Sequence, residues 1–388
     1  MDRFIYLDNA ATTRVSERVL QAMLPFLTEH YANPSSIYGF AAPAKKGVDE
    51  ARGKVAKALN CGEDEVYFTS SGTEADNWAI KGAARRLKAK GKNHIITSVF
   101  EHHAVLHTAE HLAKEGFEVS YLSVDNDGFV SPEAVKETIT DSTAIVSVMY
   151  ANNEIGTIQP ISEIGAVCKN AGVLFHTDAV QAVGNVEMDV KRDNIDLLSL
   201  SGHKINAPKG VGALFVCKGV QLDTFMDGGA QERGKRAGTE NVAGIVALGA
   251  AIEDAVGDIG TKTAYLRELR DMYLREVLAI EGVRLNGSEQ NRLAGNANIS
   301  IEGIEGESLL LRLSFAGISA SSGSACTSGS LDPSHVLLSI GLEHEIAQGS
   351  LRTTFCTQNT REDIRYTCEQ LNSIIGLLRE MSPIWNKR

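Results

Sequence analysis

The chain has 388 residues and a formal net charge of −11, and 43% of its side chains are hydrophobic. This length predicts roughly two domains, and the negative charge argues against a nucleic-acid-binding surface. No apolar run approaches the ~20 residues that cross a membrane, and the first residues do not resemble a signal peptide, so we expect a cytoplasmic protein. The 6 cysteines are scattered without a CxxC pair, and we therefore expect neither a metal site nor a disulfide framework.

Short apolar runs alternate with helical patterns as far as residue 217. Such alternation is typical of an α/β fold with a mostly parallel sheet covered on both faces. A long amphipathic helix around residues 265–277 then leads to further strand and helix patterns, which predict a smaller α+β domain. We therefore expect a large domain over residues 15–260 and a small domain built from residues 1–14 and 261–388. The seven strands predicted in the large domain cover residues 65–69, 94–99, 117–122, 144–150, 173–175, 195–200 and 211–217.

The first of these strands leads directly into small polar residues and then into a helical pattern. A strand-to-helix turn of this kind presents unpaired backbone N–H groups and the positive end of the helix dipole, an arrangement that binds phosphate. The candidate phosphate ligands are Ser71, Gly72 and Thr73. Ordinary N-capping of the helix by Ser71 or Thr73 explains the same residues.

Polar residues also follow the next strands of the predicted sheet. His102 comes after the strand at 94–99, and Asn152 comes after the strand at 144–150. Because the carboxyl ends of parallel strands meet at one edge of a sheet, both residues are expected beside the phosphate candidates. His102 would stack there on a cofactor ring, although an ordinary loop histidine is commoner in general.

Polar residues also follow the strands at 173–175 and 195–200. They are His176, Asp178 and Gln181 after the first strand, and Ser201, His203 and Lys204 after the second. These residue types suit pyridoxal phosphate (PLP). In PLP enzymes a lysine amine forms a Schiff base, a carboxylate pairs with the pyridinium nitrogen, and a polar side chain reaches the ring oxygen. The alternative is that Lys204 is a surface lysine after a buried strand and that Asp178 caps the following helix.

A glycine-rich loop over residues 228–241 carries three cations and no apolar anchor. It is either a flexible surface loop or a mobile basic loop that reaches a phosphate across a subunit interface. Farther along the chain, Arg352 lies in a strand-like segment of the small domain. It is either an ordinary edge-strand charge or a bidentate clamp for a substrate carboxylate.

Cys326 differs from most of the other cysteines in its surroundings. Most cysteines are buried small hydrophobic residues, but the run Ser321–Ser330 around Cys326 consists otherwise of Ser, Gly, Ala and Thr, which is typical of an exposed flexible loop. An exposed thiol is a liability unless its reactivity is used. We therefore expect Cys326 to take part in chemistry. The cysteines expected to be structural are Cys61, Cys168, Cys217 and Cys368.

Taken together, these motifs resemble the cysteine desulfurases of the NifS/IscS group, which are class-V aminotransferases with the fold-type I architecture of PLP-dependent transferases. The run around Cys326 is the most specific, because other fold-type I PLP enzymes lack it. The resemblance covers essentially the whole chain. The matching runs are YLDNAATT (6–13), NPSS (33–36), TSSGTEADN (69–77), EHHAV (101–105), NNEIG (152–156), HTDAVQAVG (176–184), SGHK (201–204), PKGVGALFV (208–216), RAGTENV (236–242), EGES (305–308) and SSGSACTSGSLDPSHVL (321–337).

The resemblance implies a PLP-dependent homodimer that converts L-cysteine to L-alanine. Lys204 would form the internal aldimine with PLP, and His102 would stack on the pyridine ring. Cys326, in a mobile loop of the small domain, would attack the substrate sulfur and carry it as a persulfide. The sulfur would pass to an acceptor protein, in the first place an iron–sulfur scaffold.

The resemblance also implies roles for the other candidates. Asp178 would pair with the ring nitrogen, and Gln181 would hydrogen-bond the ring oxygen. Asn152 and Arg352 would bind the substrate, with Arg352 on its carboxylate. The phosphate would be held by Thr73, Ser201 and His203, next to Ser71 and Gly72, and by Thr239 of the partner subunit.

Three runs depart from the family pattern. Ala237 stands where serine is usual, and Asn206-Ala207 stands where an aromatic–glycine pair usually follows the lysine. Cys356–Asn359 replaces a small-Gly-Arg-aromatic run. The pocket beside the cofactor and the substrate is therefore expected to differ in detail from that of other members.

Other functions remain as alternatives. A selenocysteine lyase or an aminotransferase would share this fold, but an aminotransferase has no use for Cys326 in a mobile loop. A catalytically idle sulfur carrier or assembly partner is the alternative outside enzymes. The presence of Lys204, Asp178 and Cys326 together argues against it.

Overall fold

The structure is a computed structural model, and it describes residues 4–323, 333–383 and 385. Within these residues the strands are β1 (Ile5–Tyr6), β2 (Val66–Thr69), β3 (His94–Ser98), β4 (Glu118–Leu122), β5 (Thr143–Ser147), β6 (Leu174–Asp178), β7 (Leu197–Ser201), β8 (Gly212–Val216), β9 (Val283–Leu285), β10 (Asn296–Ile301), β11 (Ile318–Ser319) and β12 (Ser350–Thr354). The α-helices are α1 (Glu17–Met23), α2 (Pro25–Thr28), α3 (Ala42–Leu59), α4 (Gly72–Lys88), α5 (His103–Lys114), α6 (Pro132–Thr138), α7 (Ile161–Ala171), α8 (Gln231–Gly234), α9 (Val242–Gly257), α10 (Ile259–Val277), α11 (Gly306–Phe315), α12 (His335–Ser339), α13 (His344–Gln348) and α14 (Arg361–Glu380).

The seven strands predicted for the large domain form one sheet, in the order β2-β8-β7-β6-β5-β3-β4. The five strands from β3 to β7 pair in parallel, whereas β8 runs antiparallel to both of its neighbours. The predicted α/β fold with a mostly parallel sheet is confirmed. β6 continues past its predicted end to Asp178, which pairs with Ser199 of β7, and β7 continues to Ser201, which pairs with Gly212 of β8.

Apolar side chains cover both faces of this sheet. β3, β5, β7 and β8 are buried along their whole length, as expected for strands sandwiched between helices. On one face the core includes Val55 of α3 and Leu248 of α9. On the other it includes Trp78 of α4 and Leu112 of α5. With both faces closed by helices, the edge at the carboxyl ends of the strands is left for a site.

A separate apolar cluster draws on both ends of the chain. It joins Leu7 after β1 to Tyr273 of α10, Leu351 of β12 and Leu371 of α14. β1 pairs in parallel with β11, and β9, β10 and β12 form an antiparallel sheet. This cluster supports our proposal that residues 1–14 and 261–388 form a small domain and residues 15–260 a large one.

One segment of the proposed small domain departs from that division. Val336 and Leu337 of α12, Ile340 after it and Ala347 of α13 are buried in the core of the large domain instead. The residue before them, His335, packs its ring against that of His103 at the start of α5. In the part of the chain that the structure describes, no helix combines the length and the apolar character needed to span a membrane.

Candidate active site

A cavity of about 200 Å³ lies where the parallel strands of the large sheet end. Its wall combines the ends of β6 and β7, the first turn of α4, the start of α5 and β12 of the small domain. The predicted site residues that line it are Ser71, Gly72, Thr73, His102, Asp178, Gln181, Ser201, His203, Lys204 and Arg352. The fold therefore brings residues from widely separated parts of the sequence to one place.

The first turn of α4 forms one end of this cavity. Ser71 is the N-cap, and its Oγ accepts a hydrogen bond from the backbone N–H of Glu74 at 3.1 Å. Gly72 packs closely against the turn after β6, where an added Cβ would approach Cγ2 of Val180 to 2.5 Å. A side chain at this position would therefore displace the helix start. Capping and phosphate binding are compatible here, because the hydroxyl of Thr73 is exposed while that of Ser71 caps the helix.

Lys204 reaches from the end of β7 to the N-terminal segment. Its Nζ donates hydrogen bonds to the carbonyls of Ala10 and, at 2.8 Å, Ala11. Nε2 of Gln181 donates to the same Ala10 carbonyl at 2.9 Å. Beside them, burial and the neighbouring lysine lower the pKa of His203 to about 4. The amine and the amide thus converge on one point of the cavity wall.

Asp178 and His102 face each other with a second aspartate, Asp76. One carboxylate oxygen of each aspartate and one ring nitrogen of His102 all lie within 4.8 Å of one another. Nδ1 of His102 accepts the backbone N–H of Ala104 at 3.1 Å, which fixes the orientation of the ring. Burial raises the pKa of Asp178, while His102, the N–H of Val180 and Lys204 act in the opposite direction. The charged form of this carboxyl group would therefore be stabilised by a cationic group that binds beside it.

Arg352 is not an ordinary edge-strand charge, since it is 1% exposed. One terminal nitrogen of its guanidinium donates to Asp8 at 2.8 Å, and the other donates to the carbonyl of Asn153 at 3.0 Å. Its Nε has no hydrogen-bond partner among the described residues. A buried guanidinium with donor capacity left over, in the wall of a cavity, is suited to binding a carboxylate.

Asn152 does not line the cavity. The geometry of the cavity therefore does not support the prediction that the Asn152 side chain binds the substrate. Its Oδ1 accepts the backbone N–H groups of Glu154 and Ile155, and its Nδ2 donates to the carbonyl of Phe100. These bonds hold the turn after β5 in shape. The neighbouring Asn153 lines the cavity instead.

The three cations of the loop 228–241 are all engaged within the chain. The contacts are Nη2 of Arg233 with the carbonyl of Val66 (2.7 Å), Nζ of Lys235 with the carbonyl of Leu222 (3.1 Å) and Nε of Arg236 with Glu74 (2.7 Å). The structure therefore pairs all three cations of a loop that the sequence predicts to be either a flexible surface loop or a mobile basic loop. Glycines suggest mobility, whereas the partners of Arg233 and Arg236 lie 167 and 162 positions away along the chain.

Thr239 does not line this cavity but a different one, together with Phe68 and Gly210. Cys326 lies outside the residues that the structure describes, so its role remains a prediction.

Known proteins match this chain over nearly its whole length. The family model for class-V aminotransferases matches residues 5–366. The chain belongs to the class-V aminotransferase family. Among curated members, "Cysteine desulfurase IscS" of Clostridium botulinum (strain Hall) is 57% identical over 99% of this chain and 98% of its own.

Solved structures agree with this placement in the class-V aminotransferase family. A structure described as a NifS-like protein has a TM-score of 0.91 at 36% identity and covers 97% of this chain and 100% of its own. Another, described as SspA in complex with cysteine, has a TM-score of 0.81 at 35% identity and covers 92% and 100%. The predicted fold and the resemblance to the cysteine desulfurases are confirmed.

Two residues of this class-V aminotransferase site escaped the sequence analysis. Asp8, the partner of Arg352, lies in the run YLDNAATT (6–13), whose sequence alone indicates no role for it. Asp76 lies on α4 directly after the turn that is predicted to bind phosphate. The helical spacing could have shown that it faces the sheet, because Ala75, Trp78 and Ala79 of the same helix are buried.

Proposed function

We propose that this protein is a PLP-dependent cysteine desulfurase that converts L-cysteine to L-alanine and takes up the sulfur as a persulfide on Cys326. The convergence of Lys204, Asp178 and Arg352 on one buried cavity carries this proposal. The relatives of similar length that are named cysteine desulfurases support it, and the complex of SspA with cysteine supports the choice of substrate.

The residues around the cavity fit the cofactor. Asp178 would pair with the ring nitrogen, His102 would stack on the ring, Gln181 would bind the ring oxygen, and Lys204 would hold the aldehyde carbon through its amine. The phosphate would lie against the N-terminal turn of α4, which begins at Gly72. The phosphate ligands would be Ser71, Thr73, Ser201 and His203. When bound, PLP supplies an electron sink for the carbanion that forms at the substrate Cα.

The other residues of the site bind and orient the amino acid. Arg352 pairs with the substrate carboxylate, and its pairing with Asp8 fixes the guanidinium before substrate arrives. Lys204 takes the proton from Cα. Because Arg352 and Asp178 are almost completely buried, water is kept away from the charges that form during the reaction.

Sulfur leaves the substrate by nucleophilic attack. The thiolate of Cys326 forms a bond to the substrate sulfur, and the bond between that sulfur and Cβ breaks. Cβ keeps the electron pair of the broken bond and takes up a proton. Lys204 returns its proton to Cα, and the product leaves as alanine. The sulfur stays on Cys326 as a persulfide and passes to an acceptor, for which we propose an iron–sulfur scaffold protein.

We further propose that the enzyme is a homodimer. Large apolar side chains are exposed over residues 24–40, a concentration that is unusual for a free surface. They are Leu24, Leu27, Tyr31, Ile37, Tyr38 and Phe40. A second copy of the chain would cover them and would bring Thr239 of the partner subunit to the phosphate. The five cysteines that the structure describes are all free, which supports our proposal of a cytoplasmic, reducing location.

The experiment that tests the function compares two cysteine variants. With cysteine as substrate, Cys326→Ser should still change the visible spectrum of the bound cofactor, because binding needs only the cavity, but it should yield neither alanine nor sulfide above background. Cys356→Ser is the matched control and should retain substantial activity. Mass spectrometry of the first turnover should find the additional sulfur on the peptide that contains Cys326. Normal alanine production by Cys326→Ser would leave an aminotransferase or a lyase as the better assignment.

A further inference from the structure

Asp76 is a buried carboxyl group that the proposed chemistry does not use. It is 1% exposed and lines the same cavity as Asp178. Its Oδ1 atom has no hydrogen-bond partner among the described residues. A buried polar atom without a partner costs free energy, so its presence in a site calls for a role.

Neither Lys204 nor His176 neutralises Asp76. Lys204 donates to the carbonyls of Ala10 and Ala11 instead. Nε2 of His176 lies 3.6 Å from Oδ1 of Asp76, but burial lowers the pKa of His176 to about 3, so its ring is neutral.

The rest of the surroundings are hydroxyl, imidazole and carboxyl groups. The ring of His176 is held by Ser147 at 2.8 Å and by Ser199 at 3.0 Å. Ser199 also hydrogen-bonds Asp76, and, besides burial, Asp178 is the main charge that raises its pKa. His102 faces both aspartates from the start of α5. One proton on the pair of Asp76 and Asp178 is therefore the simplest way to avoid two buried negative charges at this site.

Two carboxyl groups this close do not both ionise in a buried site. Burial raises the pKa of Asp76 well above its usual range, and the charge of Asp178 raises it further. Asp178 differs because it accepts the N–H of Val180 at 2.9 Å and is favoured as an anion by His102 and Lys204. The negative charge therefore belongs on Asp178 and the proton on Asp76.

We infer that Asp76 is a positioning residue for Asp178: as a neutral acid it donates a hydrogen bond to the Asp178 carboxylate and keeps the pair at a single negative charge. That charge faces the place where the cofactor ring nitrogen would bind, so the inference rests on the proposed function. Asp76 fixes the orientation of the carboxylate and limits the strength of its pairing with the ring.

The test uses the PLP-loaded enzyme with Asp76→Asn and Asp76→Ala. Asparagine keeps a hydrogen-bond donor and no charge, so its cofactor dissociation constant and the pH midpoint of the cofactor absorbance should match the wild type. Alanine removes the donor and should weaken cofactor binding by about tenfold and shift that midpoint. Ser147→Ala is the control, because it alters the same buried layer through His176 and should leave both measurements unchanged.

Infrared difference spectra provide a second measurement that does not depend on cofactor or on the alanine variant folding. The wild type minus Asp76→Asn spectrum should show a protonated carboxyl band at neutral pH. Three outcomes would each overturn the inference. The infrared band could be absent, the pH midpoint of Asp76→Asn could shift as far as that of Asp76→Ala, or Asp76→Ala could behave like the wild type. A wild type that binds no PLP would instead reject the proposed function, and the infrared result would still decide the protonation of Asp76.

Discussion

Replacing Glu101 with glutamine tests how burial controls charge next to the site. Glu101 is 0% exposed and directly precedes His102. Its Oε1 accepts hydrogen bonds from Oγ of Ser98 at 2.5 Å and from the backbone N–H of Met149 at 2.9 Å, while its Oε2 has no partner among the described residues. Burial is the main cause that raises the pKa of Glu101 from 4.5 to about 8. The side chain is therefore held as a neutral acid, which glutamine imitates.

The direction of the pH effect follows from the raised pKa. Between the unfolded value of 4.5 and the folded value of about 8, the folded protein binds more protons at Glu101 than the unfolded chain does. The stability contributed by Glu101 is complete below 4.5 and is lost as the pH rises through 8. The full loss is about 5 kcal/mol, of which about 3 kcal/mol falls between about pH 6 and about pH 9. Glutamine does not titrate and loses none of it.

Chemical denaturation of the cofactor-free protein measures this difference. The free energy of unfolding of Glu101→Gln should exceed that of the wild type by a gap that grows by about 3 kcal/mol from about pH 6 to about pH 9. Glu110→Gln, which removes an exposed carboxyl group from the helix that follows, is the control and should show a constant gap. A constant gap for Glu101→Gln as well would refute the reasoning, since Glu101 would then be ionised in the folded protein.

Two further predictions concern the proposed cofactor and substrate contacts. Lys204→Ala should lose turnover and the visible absorbance that depends on the lysine amine, while PLP remains bound through its phosphate. Absorption spectra and alanine assays measure this. Normal turnover would exclude Lys204 from the mechanism. Arg352→Lys should raise the KM for cysteine by about 30-fold, because one ammonium group replaces a bidentate guanidinium. An unchanged KM in steady-state kinetics would show that Arg352 serves only to pair with Asp8.

The strands of the large sheet were predictable because each is a short, buried, apolar run. β7 and β8, for example, have no exposed residue. α9 was not predicted, although it is a long helix, because its residues are apolar on all sides and show no amphipathic period. The affiliation of α12 with the large domain was equally hidden, since its packing depends on contacts with distant residues.

The site was predictable where a residue stands at a strand end and not where a partner comes from elsewhere. Lys204 and Asp178 follow from the order of strands and turns. The substrate role of Asn152 rests on the family resemblance, whereas its carboxamide hydrogen-bonds the backbone of its own turn and the carbonyl of Phe100. Nothing local in the sequence links Asp8 to Arg352, because that pairing arises only when the two ends of the chain meet.

The Asp8–Arg352 ion pair can form only late in the synthesis of the chain. Its two residues are 344 positions apart in the chain. At about 5–20 residues per second, Arg352 is made about 20 to 70 seconds after Asp8. The last strand of the large sheet, β8, is completed before the end of that interval, while the buried arginine that would receive the substrate carboxylate does not yet exist. A nascent chain can therefore form the surroundings of Lys204 well before it can select an amino acid.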